Sequence, residues 1–269
     1  MSGRNRHIGS SVLTKATSIL DAFAGDRVEM SLADLARVTD LPPSTVHRLA
    51  AELVQWGGLE RTEAGGYAVG IRLWEVAARS RRSYGLRDTA MPFLQGLYDL
   101  TRQHVQLAVV DGSDVLLIEK ISAARAVETV GRAGGRLPLH ASAVGRSLLA
   151  FSTAEFQTRI LGGPLHGLTS STTTSPALLR QQLAAIRRSG HAVVVDEVTA
   201  GVASCAAPIL DASGSSVAAV SVVIPASKDS PAVWSNAVMT AAFGISRALT
   251  QQRISGPISA PAISRRLFH

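Results

Sequence analysis

The sequence predicts an α+β protein with two domains: a small helical N-terminal domain that ends in a β-hairpin, and a larger C-terminal domain around an antiparallel sheet. Two observations lead to this prediction. Short helical patterns separated by turn signals occupy most of residues 13–56 and are followed by two short extended runs. From residue 88 onward, strand-like runs alternate with helical patterns. The length of 269 residues accommodates two domains of ordinary size.

Two short helices open the first domain. Apolar residues recur at helical spacing over residues 13–23, and Gly25 provides a stop signal. Ser31 starts the second helix, with Asp34 three residues later in a variant of the capping box that carries Asp in place of Glu. This helix is expected to end near Asp40.

The third helix follows a tight turn and contains Pro42 and Pro43 in its first turn, where the N–H groups have no partner to lose. Its apolar residues form one stripe: Val46, Leu49, Ala50 and Leu53. The face left outside near its N-terminal end is polar: Ser44, Thr45, Arg48 and, at the margin, His47. Two helices joined in this way indicate a helix-turn-helix, whose second helix lies in the major groove of DNA.

Extended runs at residues 59–61 and 67–69, separated by a Gly-rich turn, predict a hairpin that forms a wing. A helical pattern that includes Trp74 leads into a basic stretch, where the domain boundary is expected. The predicted organisation is a winged helix-turn-helix domain over 1–77, a linker over 78–86, a second domain over 87–252 and a mobile tail over 253–269.

The second domain is expected to begin with a helix over residues 88–103, followed by two strands with the turn Asp111-Gly112 between them. These two strands are predicted at 105–110 and 115–121, and further strands at 127–130, 191–195, 206–210 and 217–223. Helices are predicted between them at 143–151, 154–161, 177–189 and 231–251.

Composition excludes several classes of protein. Hydrophobic residues make up 46% of the chain, which favours a packed core, and no apolar run approaches the roughly 18–20 residues of a membrane span. No secretory signal is recognisable, so a cytoplasmic location is expected. The lone Cys205 excludes internal disulfides. The net charge of +7 permits a polyanionic partner, but residues 1–85 hold eleven basic and nine acidic residues, so charge alone does not indicate DNA.

Patterns that could belong to an enzyme each lack a required part. Gly145-Arg146-Ser147 resembles the end of a phosphate-binding loop without its lysine, and residues 131–135 are Gly-rich without dinucleotide spacing. Cys205, even with His140 or His191 as a base, is expected to be a small buried residue. The sequence therefore predicts no catalytic residues, no metal site and no cofactor.

Three blocks resemble the IclR-type family of bacterial transcription regulators: residues 44–49 followed by Gly58-Leu59, residues 136–150, and residues 196–221. The resemblance covers about residues 11–250 in matching order. It implies a winged helix-turn-helix, a connecting helix and a GAF-like effector-binding domain. It also implies homodimers, often paired into tetramers, that bind pseudo-palindromic operators in double-stranded DNA and respond to small metabolites. Pro43 departs from the family, because a basic residue often stands there.

Six side chains are candidates for contact with DNA: Lys15, Ser44, Thr45, His47, Arg48 and Arg61. Arg48 could bind guanine through two hydrogen bonds, while Lys15 and Arg61 would contact phosphates. The alternative is that these residues form a solvated surface and that His47 packs at the edge of the helix.

The resemblance also implies an effector pocket in the second domain. Backbone amides of Ala143 and Val144 would meet a carboxylate at a helix N-terminus. Positions that are polar in relatives correspond to Val194, Ser204, Ser221 and Val223, and the apolar walls correspond to Val130, Leu137 and Val202. The valines among the polar positions suggest a larger, more apolar effector oriented by Ser204 and Ser221. The alternative is that all of these are core positions of strands.

Three hypotheses about function follow. The first is a transcriptional regulator, with repression favoured, whose effector is an organic acid or an aromatic compound. The second is a GAF-like enzyme with an accessory DNA-binding module, which would depend on Cys205. The third is a nucleoid-associated DNA-binding protein without a ligand, whose binding would show no sequence preference.

Overall fold

The computed structural model describes residues 11–25, 27–77, 81–122, 127, 129, 131–226 and 231–254. Contacts between residues divide the chain into two compact units, Met1–Tyr84 and Gly85–His269. In the described ranges, no helix combines the length and the apolar character needed to cross a bilayer.

The first unit consists of short helices and a small antiparallel sheet. In chain order its elements are α1 (Val12–Asp21), a 3₁₀ turn (Ala22–Ala24), β1 (Glu29–Met30), α2 (Leu32–Thr39), α3 (Pro43–Trp56), β2 (Leu59–Arg61), β3 (Tyr67–Val69) and α4 (Ile71–Ala77). The strands are ordered β1-β3-β2. The predicted helices and hairpin are thus confirmed, and β1 is an addition that its two-residue length hid from the sequence pattern.

Local side chains set the helix boundaries of this unit. The Ser31 hydroxyl accepts a hydrogen bond from the Asp34 backbone N–H at 3.1 Å and donates one to the Asp34 carboxylate at 2.8 Å. Asp40 ends α2 in the left-handed conformation with φ 53°, and Pro42 caps α3. One cluster of buried side chains ties the elements together: Ile19, Phe23, Met30, Leu35, Leu41, Val46, Leu49, Ala50, Leu59 and Tyr67.

The second unit contains a mixed set of helices around one antiparallel sheet. The elements are α5 (Arg81–Thr101, whose first turn precedes the unit), β4 (His104–Asp111), β5 (Asp114–Ile121), β6 (Arg136–Pro138), α6 (Ala143–Ala150), α7 (Ala154–Leu161), α8 (Pro176–Ser189), β7 (Ala192–Val195), β8 (Val202–Leu210), β9 (Ser216–Pro225), a 3₁₀ turn (Pro231–Trp234) and α9 (Ser235–Ile254). The described strands are ordered β6-β5-β4-β9-β8-β7.

Each face of the sheet packs against helices, because the side chains of each strand alternate between two cores. Residues such as Val105 and Cys205 face α5 and α9. Residues such as Ala206 and Ala219 face α6 and α8. All eight residues of α6 are buried, so this short helix lies inside the unit and brings its N-terminus against the sheet.

Three expectations about boundaries are corrected. Residues 127 and 129 are not in a strand, and residues 128 and 130 lie outside the described ranges. The edge strand is instead β6, because a turn with Gly134 at φ 78° carries the chain back alongside β5. Helix α5 starts at Arg81 rather than residue 88, so the second half of the expected linker is helical. Helix α9 continues to Ile254, and the rest of the expected tail, 255–269, is outside the described residues.

Candidate nucleic-acid interface and effector cavity

The N-terminal end of α3 presents a polar surface. Ser44, His47 and Arg48 are exposed and Thr45 is half-buried, while the apolar stripe beneath them packs into the core of the first unit. Thr45 donates its backbone N–H to the Pro42 carbonyl at 2.9 Å, so the helix begins without a side-chain cap. The four polar side chains predicted from the sequence therefore lie together on the outside of the second helix of a helix-turn-helix.

The basic side chains of this unit are held by different partners. Arg48 forms an exposed ion pair with Glu52 at 2.7 Å, one turn further along α3. Because both side chains are 58% exposed, the pair is worth about 0.3–0.5 kcal/mol and can be exchanged for a phosphate or a base. Arg61 lies on the wing, 4.1 Å above the centre of the Tyr67 ring, and Lys15 is half-buried on α1.

Two further basic side chains, which were not among the predicted site residues, contact Asp34. Arg37 and Arg27 contact this carboxylate at 2.6 Å and 3.0 Å. The Ser31 hydroxyl, followed by the two guanidiniums, holds the pKa of Asp34 well below its usual range. Both arginines are more than half exposed, so they can exchange this carboxylate for a phosphate, as Arg48 can exchange Glu52. Arg48 remains the base-reading candidate on α3.

The second unit encloses a cavity where the N-terminus of α6 meets the face of the sheet. It is lined by Gln106, Thr129, Leu137, Ser142, Ala143, Val144, Val194, Val198, Thr199, Val202, Ser204 and Val223. Val194, Ser204 and Val223 form one cross-strand row through β7, β8 and β9. Seven of the predicted effector-site residues are thereby brought together.

Two predicted residues are not on this wall. Ser221 is fully buried on the same face of β9 as Val223 and donates a hydrogen bond to the side-chain oxygen of Gln106 at 3.3 Å. Val130 lies outside the described residues. Conversely, the sequence prediction missed Gln106, Thr129, Ser142, Val198 and Thr199 among the lining residues. The alternation of polar His104 and Gln106 with apolar residues on β4 was the available signal, because it puts polar groups on a buried face.

The N-terminus of α6 is prepared for an anion. The Ser142 hydroxyl accepts a hydrogen bond from the Gly145 N–H at 3.2 Å, and the Arg146 N–H donates to the Ser142 carbonyl at 2.9 Å. The amides of Ala143 and Val144 are thus the ones left at the helix start, where the helix dipole also favours negative charge. Both residues are 2% exposed, so an anion there would be held away from water.

The cavity is small and its lining carries no charged side chain. Its volume of about 40 Å³ corresponds to roughly three water molecules. A benzoate-sized molecule would require the walls to move, and the larger effector expected from the valines stays a prediction. Grooves of about 640 Å³ beside α9 and 530 Å³ beside α7 are larger, but they contain none of the predicted residues.

A buried ion pair braces the loop that forms one wall of the cavity. Arg146 binds Glu197 through both terminal nitrogens, one contact measuring 2.7 Å, and its Nε donates to the His140 carbonyl at 2.6 Å. Glu197 also accepts a hydrogen bond from the Thr173 N–H at 2.7 Å. Val198 and Thr199 follow directly in the chain, so the pair fixes where this wall lies.

Burial shifts the pKa of several titratable groups in the second unit away from its ordinary value. Burial raises the pKa of Cys205 to about 12, which makes its thiolate inaccessible and argues against a nucleophile. Burial also lowers the pKa of His140 and of His104, and the pKa of Lys120. Among the described residues, no group of three or more His, Cys, Asp or Glu side chains is arranged to hold a metal ion.

A helix-turn-helix with a polar outer edge, in one chain with a unit whose cavity adjoins a helix N-terminus, is typical of a DNA-binding transcriptional regulator. Comparison with known protein families identifies the family of regulators. Residues 12–63 match the IclR helix-turn-helix domain, and residues 79–247 match the family described as bacterial transcriptional regulator IclR C-terminal. The chain therefore belongs to the IclR family of bacterial transcriptional regulators.

Curated relatives and solved structures agree with this assignment. The chain is 31% identical to the transcriptional repressor IclR of Escherichia coli over 80% of each chain. It is 31% identical to the regulator BhcR of Paracoccus denitrificans over 92% of this chain and 90% of the relative. A Microbacterium hydrocarbonoxydans IclR homologue complexed with 4-hydroxybenzoate has a TM-score of 0.83 and 35% identity, covering 89% and 99% of the two chains. The Thermotoga maritima IclR gives 0.74 and 28%, covering 88% and 98%.

These relatives decide between two of the hypotheses from the sequence. They are regulators and repressors, so the chain is a regulator and the hypothesis of a GAF-like enzyme with an accessory module is wrong. The predicted family and fold class are confirmed.

Proposed function

We propose that this chain is a homodimeric, cytoplasmic repressor that binds a pseudo-palindromic operator and leaves it when a small monocarboxylate occupies the cavity. In this proposal residues 1–77 bind DNA, residues 87–252 bind the effector, and residues 78–86 connect them. The observation that carries the effector half is the pair of buried amides at the start of α6, which face a cavity without charged side chains.

The DNA half of the proposal is supported by the exposed N-terminal end of α3. Ser44, Thr45, His47 and Arg48 would meet base edges or phosphates in the major groove, while Arg61 and Lys15 would contact the backbone. In a dimer, two such helices would occupy half-sites about one helical turn, or roughly 34 Å, apart.

Dimerisation is supported by apolar side chains that the first unit leaves in solvent. On α1, Val12 and Leu13 are 58% and 72% exposed, and on α4, Ile71, Trp74 and Val76 are 67%, 65% and 56% exposed. Exposed apolar side chains in this number are typical of a protein–protein contact, and a second copy of the chain is the partner that a palindromic operator requires.

The effector half is supported by chemistry and by a relative. A carboxylate would accept hydrogen bonds from Ala143 and Val144, but the described lining offers no cation to neutralise a second negative charge. The 35%-identical Microbacterium homologue is a complex with a monocarboxylate, 4-hydroxybenzoate. In several relatives the name states repression, which favours release of DNA as the response.

The effector can change DNA affinity only through a difference in its affinity for two arrangements of the protein. Such coupling is typically about 1–3 kcal/mol, or roughly 5- to 150-fold in operator affinity. In the proposed mechanism, the acid moves the cavity walls outward, which favours an arrangement in which the two recognition helices no longer match the half-sites.

The test is DNase I footprinting with the purified full chain on the DNA upstream of its own and neighbouring genes. We expect one protected pseudo-palindrome, and loss of protection on adding a monocarboxylate from a panel of short aliphatic and aromatic acids. Uniform, salt-dependent coverage without a protected site would contradict the proposal and favour the nucleoid-associated alternative.

A further inference from the structure

Gln106 is a buried polar side chain in the wall of the cavity. It lies on β4, is 3% exposed, and is a cross-strand neighbour of Ser221 on β9 and of Lys120 on β5. A buried amide carries two donors and two acceptor sites, which it satisfies with protein groups, water or a ligand. Its place among the lining residues makes it available to a bound molecule.

Two neighbours fix the orientation of the Gln106 amide. The Ser221 hydroxyl donates to Oε1 at 3.3 Å, which turns the nitrogen end away from β9. Gly131 lies against that nitrogen, since a Cβ atom at position 131 would come within 2.7 Å of Nε2. The amide is therefore held from both ends, which is the pre-organisation that a selective hydrogen bond needs.

The lining of the cavity also contains an unsatisfied hydroxyl. Thr199 Oγ1 is buried and has no hydrogen-bond partner among the described residues, although Thr199 lines the cavity. An unpaired buried hydroxyl is unfavourable, and a hydrogen-bonding group of a bound molecule would satisfy it.

We infer that Gln106 is a specificity-determining residue, which hydrogen-bonds a second, uncharged oxygen of the effector, a hydroxyl or a carbonyl. This inference rests on the proposed function and narrows the effector from a monocarboxylate to a hydroxy or oxo monocarboxylate. The carboxylate occupies the amides of Ala143 and Val144, and the second oxygen reaches Gln106, with Thr199 as a further partner. The lining offers no cation to pair with a second carboxylate, so a dicarboxylate is disfavoured.

The experiment is isothermal titration of the full chain with two matched sets of acids. The short set is lactate, propionate and malonate, and the aromatic set is 4-hydroxybenzoate, benzoate and terephthalate. Within the set that binds, we expect the hydroxy acid to bind at least about tenfold more tightly than the acid lacking the hydroxyl, because the latter leaves Gln106 unpaired. The dicarboxylate is expected to bind more weakly than either.

Three variants test the residue. Gln106→Leu combined with Ser221→Ala removes the amide together with the hydroxyl that it would otherwise leave unpaired. We expect the double variant to bind the hydroxy acid and the acid without the hydroxyl with affinities that differ by less than about threefold. Its affinity for propionate or benzoate should be unchanged. Gly131→Ala should reduce the same preference by displacing Nε2. Gly96→Ala on α5, where an added Cβ would meet nothing within 4 Å, is the matched control and should leave the preference unchanged.

The outcomes separate the two proposals. The role of Gln106 is refuted if acids bind but the wild type does not prefer the hydroxy acid. It is also refuted if the double variant loses affinity equally for the hydroxy acid and for the acid without the hydroxyl. In both cases the proposal of a monocarboxylate effector stands. Should the double variant fail to fold, Gly131→Ala provides the test, through the same ratio of the affinity for the hydroxy acid to the affinity for the acid without the hydroxyl. If neither set of acids binds the wild type, the monocarboxylate proposal is overturned and the role of Gln106 with it.

Discussion

Replacing Arg146 by methionine removes the cation from an ion pair that the second unit buries almost completely. The Arg146 and Glu197 side chains are 3% and 9% exposed. Methionine is flexible and reproduces the arginine stem to about the position of Nε, so the substitution removes the charge and hydrogen bonds of the guanidinium and only part of the side-chain volume. Glu197 would then be a buried carboxylate whose remaining partner from this network is the Thr173 N–H.

The expected loss follows from those contacts. Breaking a buried pair by removing one partner costs about 3–5 kcal/mol, because the other charge stays desolvated without compensation. The bond from Arg146 Nε to the His140 carbonyl is lost as well, which places the expected value in the upper half of that range. Domains have free energies of unfolding of about 5–15 kcal/mol, so the variant would lose a large part of the stability of this unit.

Urea denaturation with tryptophan fluorescence measures this loss. Trp234 is the one tryptophan in the sequence beyond residue 84, so a Trp56→Phe, Trp74→Phe background makes it the reporter of the second unit. The matched control is Arg146→Met with Glu197→Leu, which removes both charges. Its loss should be smaller than that of Arg146→Met alone, since no unpaired charge remains. A single-variant loss below about 1 kcal/mol, or a double variant that is the less stable of the two, would refute the reasoning.

Three other predictions concern DNA binding, thiol reactivity and pH. In gel-shift titrations, Arg48→Ala should weaken binding to the operator by about 1–3 kcal/mol and weaken binding to unrelated DNA much less. Glu52→Gln is the control, because it keeps the Arg48 guanidinium and should keep the preference for the operator. Equal losses on both DNAs would show that Arg48 reads no base. Because burial raises the pKa of Cys205 to about 12, a disulfide reagent at pH 8 should modify it in urea but not in the native protein, and rapid native modification would be the contrary result. Burial lowers the pKa of His104 and of His140, so the unfolded chain binds more protons than the native protein as the pH falls. The stability that these two histidines contribute is therefore complete above about pH 6.5 and is lost as the pH falls through their pKa values in the native protein. The melting temperature should therefore drop between pH 7 and pH 5, and His104→Gln should reduce the drop; an unchanged slope would contradict this.

Local signals in the sequence carried the prediction of the first unit. The apolar stripe of α3, the Ser31 cap of α2 and the turn at residues 62–66 each act over a few residues, so their effect can be inferred from spacing. The same holds for the start of α6, where Ser142 caps the helix from the adjacent position. Strand β6 was missed because three residues are too few to show alternation.

The sequence by itself determined the family, the helices and hairpin of the first unit, the polar edge of α3 and the pair of amides that begins α6. Only the tertiary structure decided which side chains share the cavity. Gln106 and Ser221 are 115 positions apart, and Arg146 and Glu197 are 51 apart. Such pairs come together because sheet register and core packing bring distant residues into contact. Neither the register nor the packing can be inferred from a single segment of the chain. The size of the cavity was decided in the same way, since it is the volume left after five separate parts of the chain have packed.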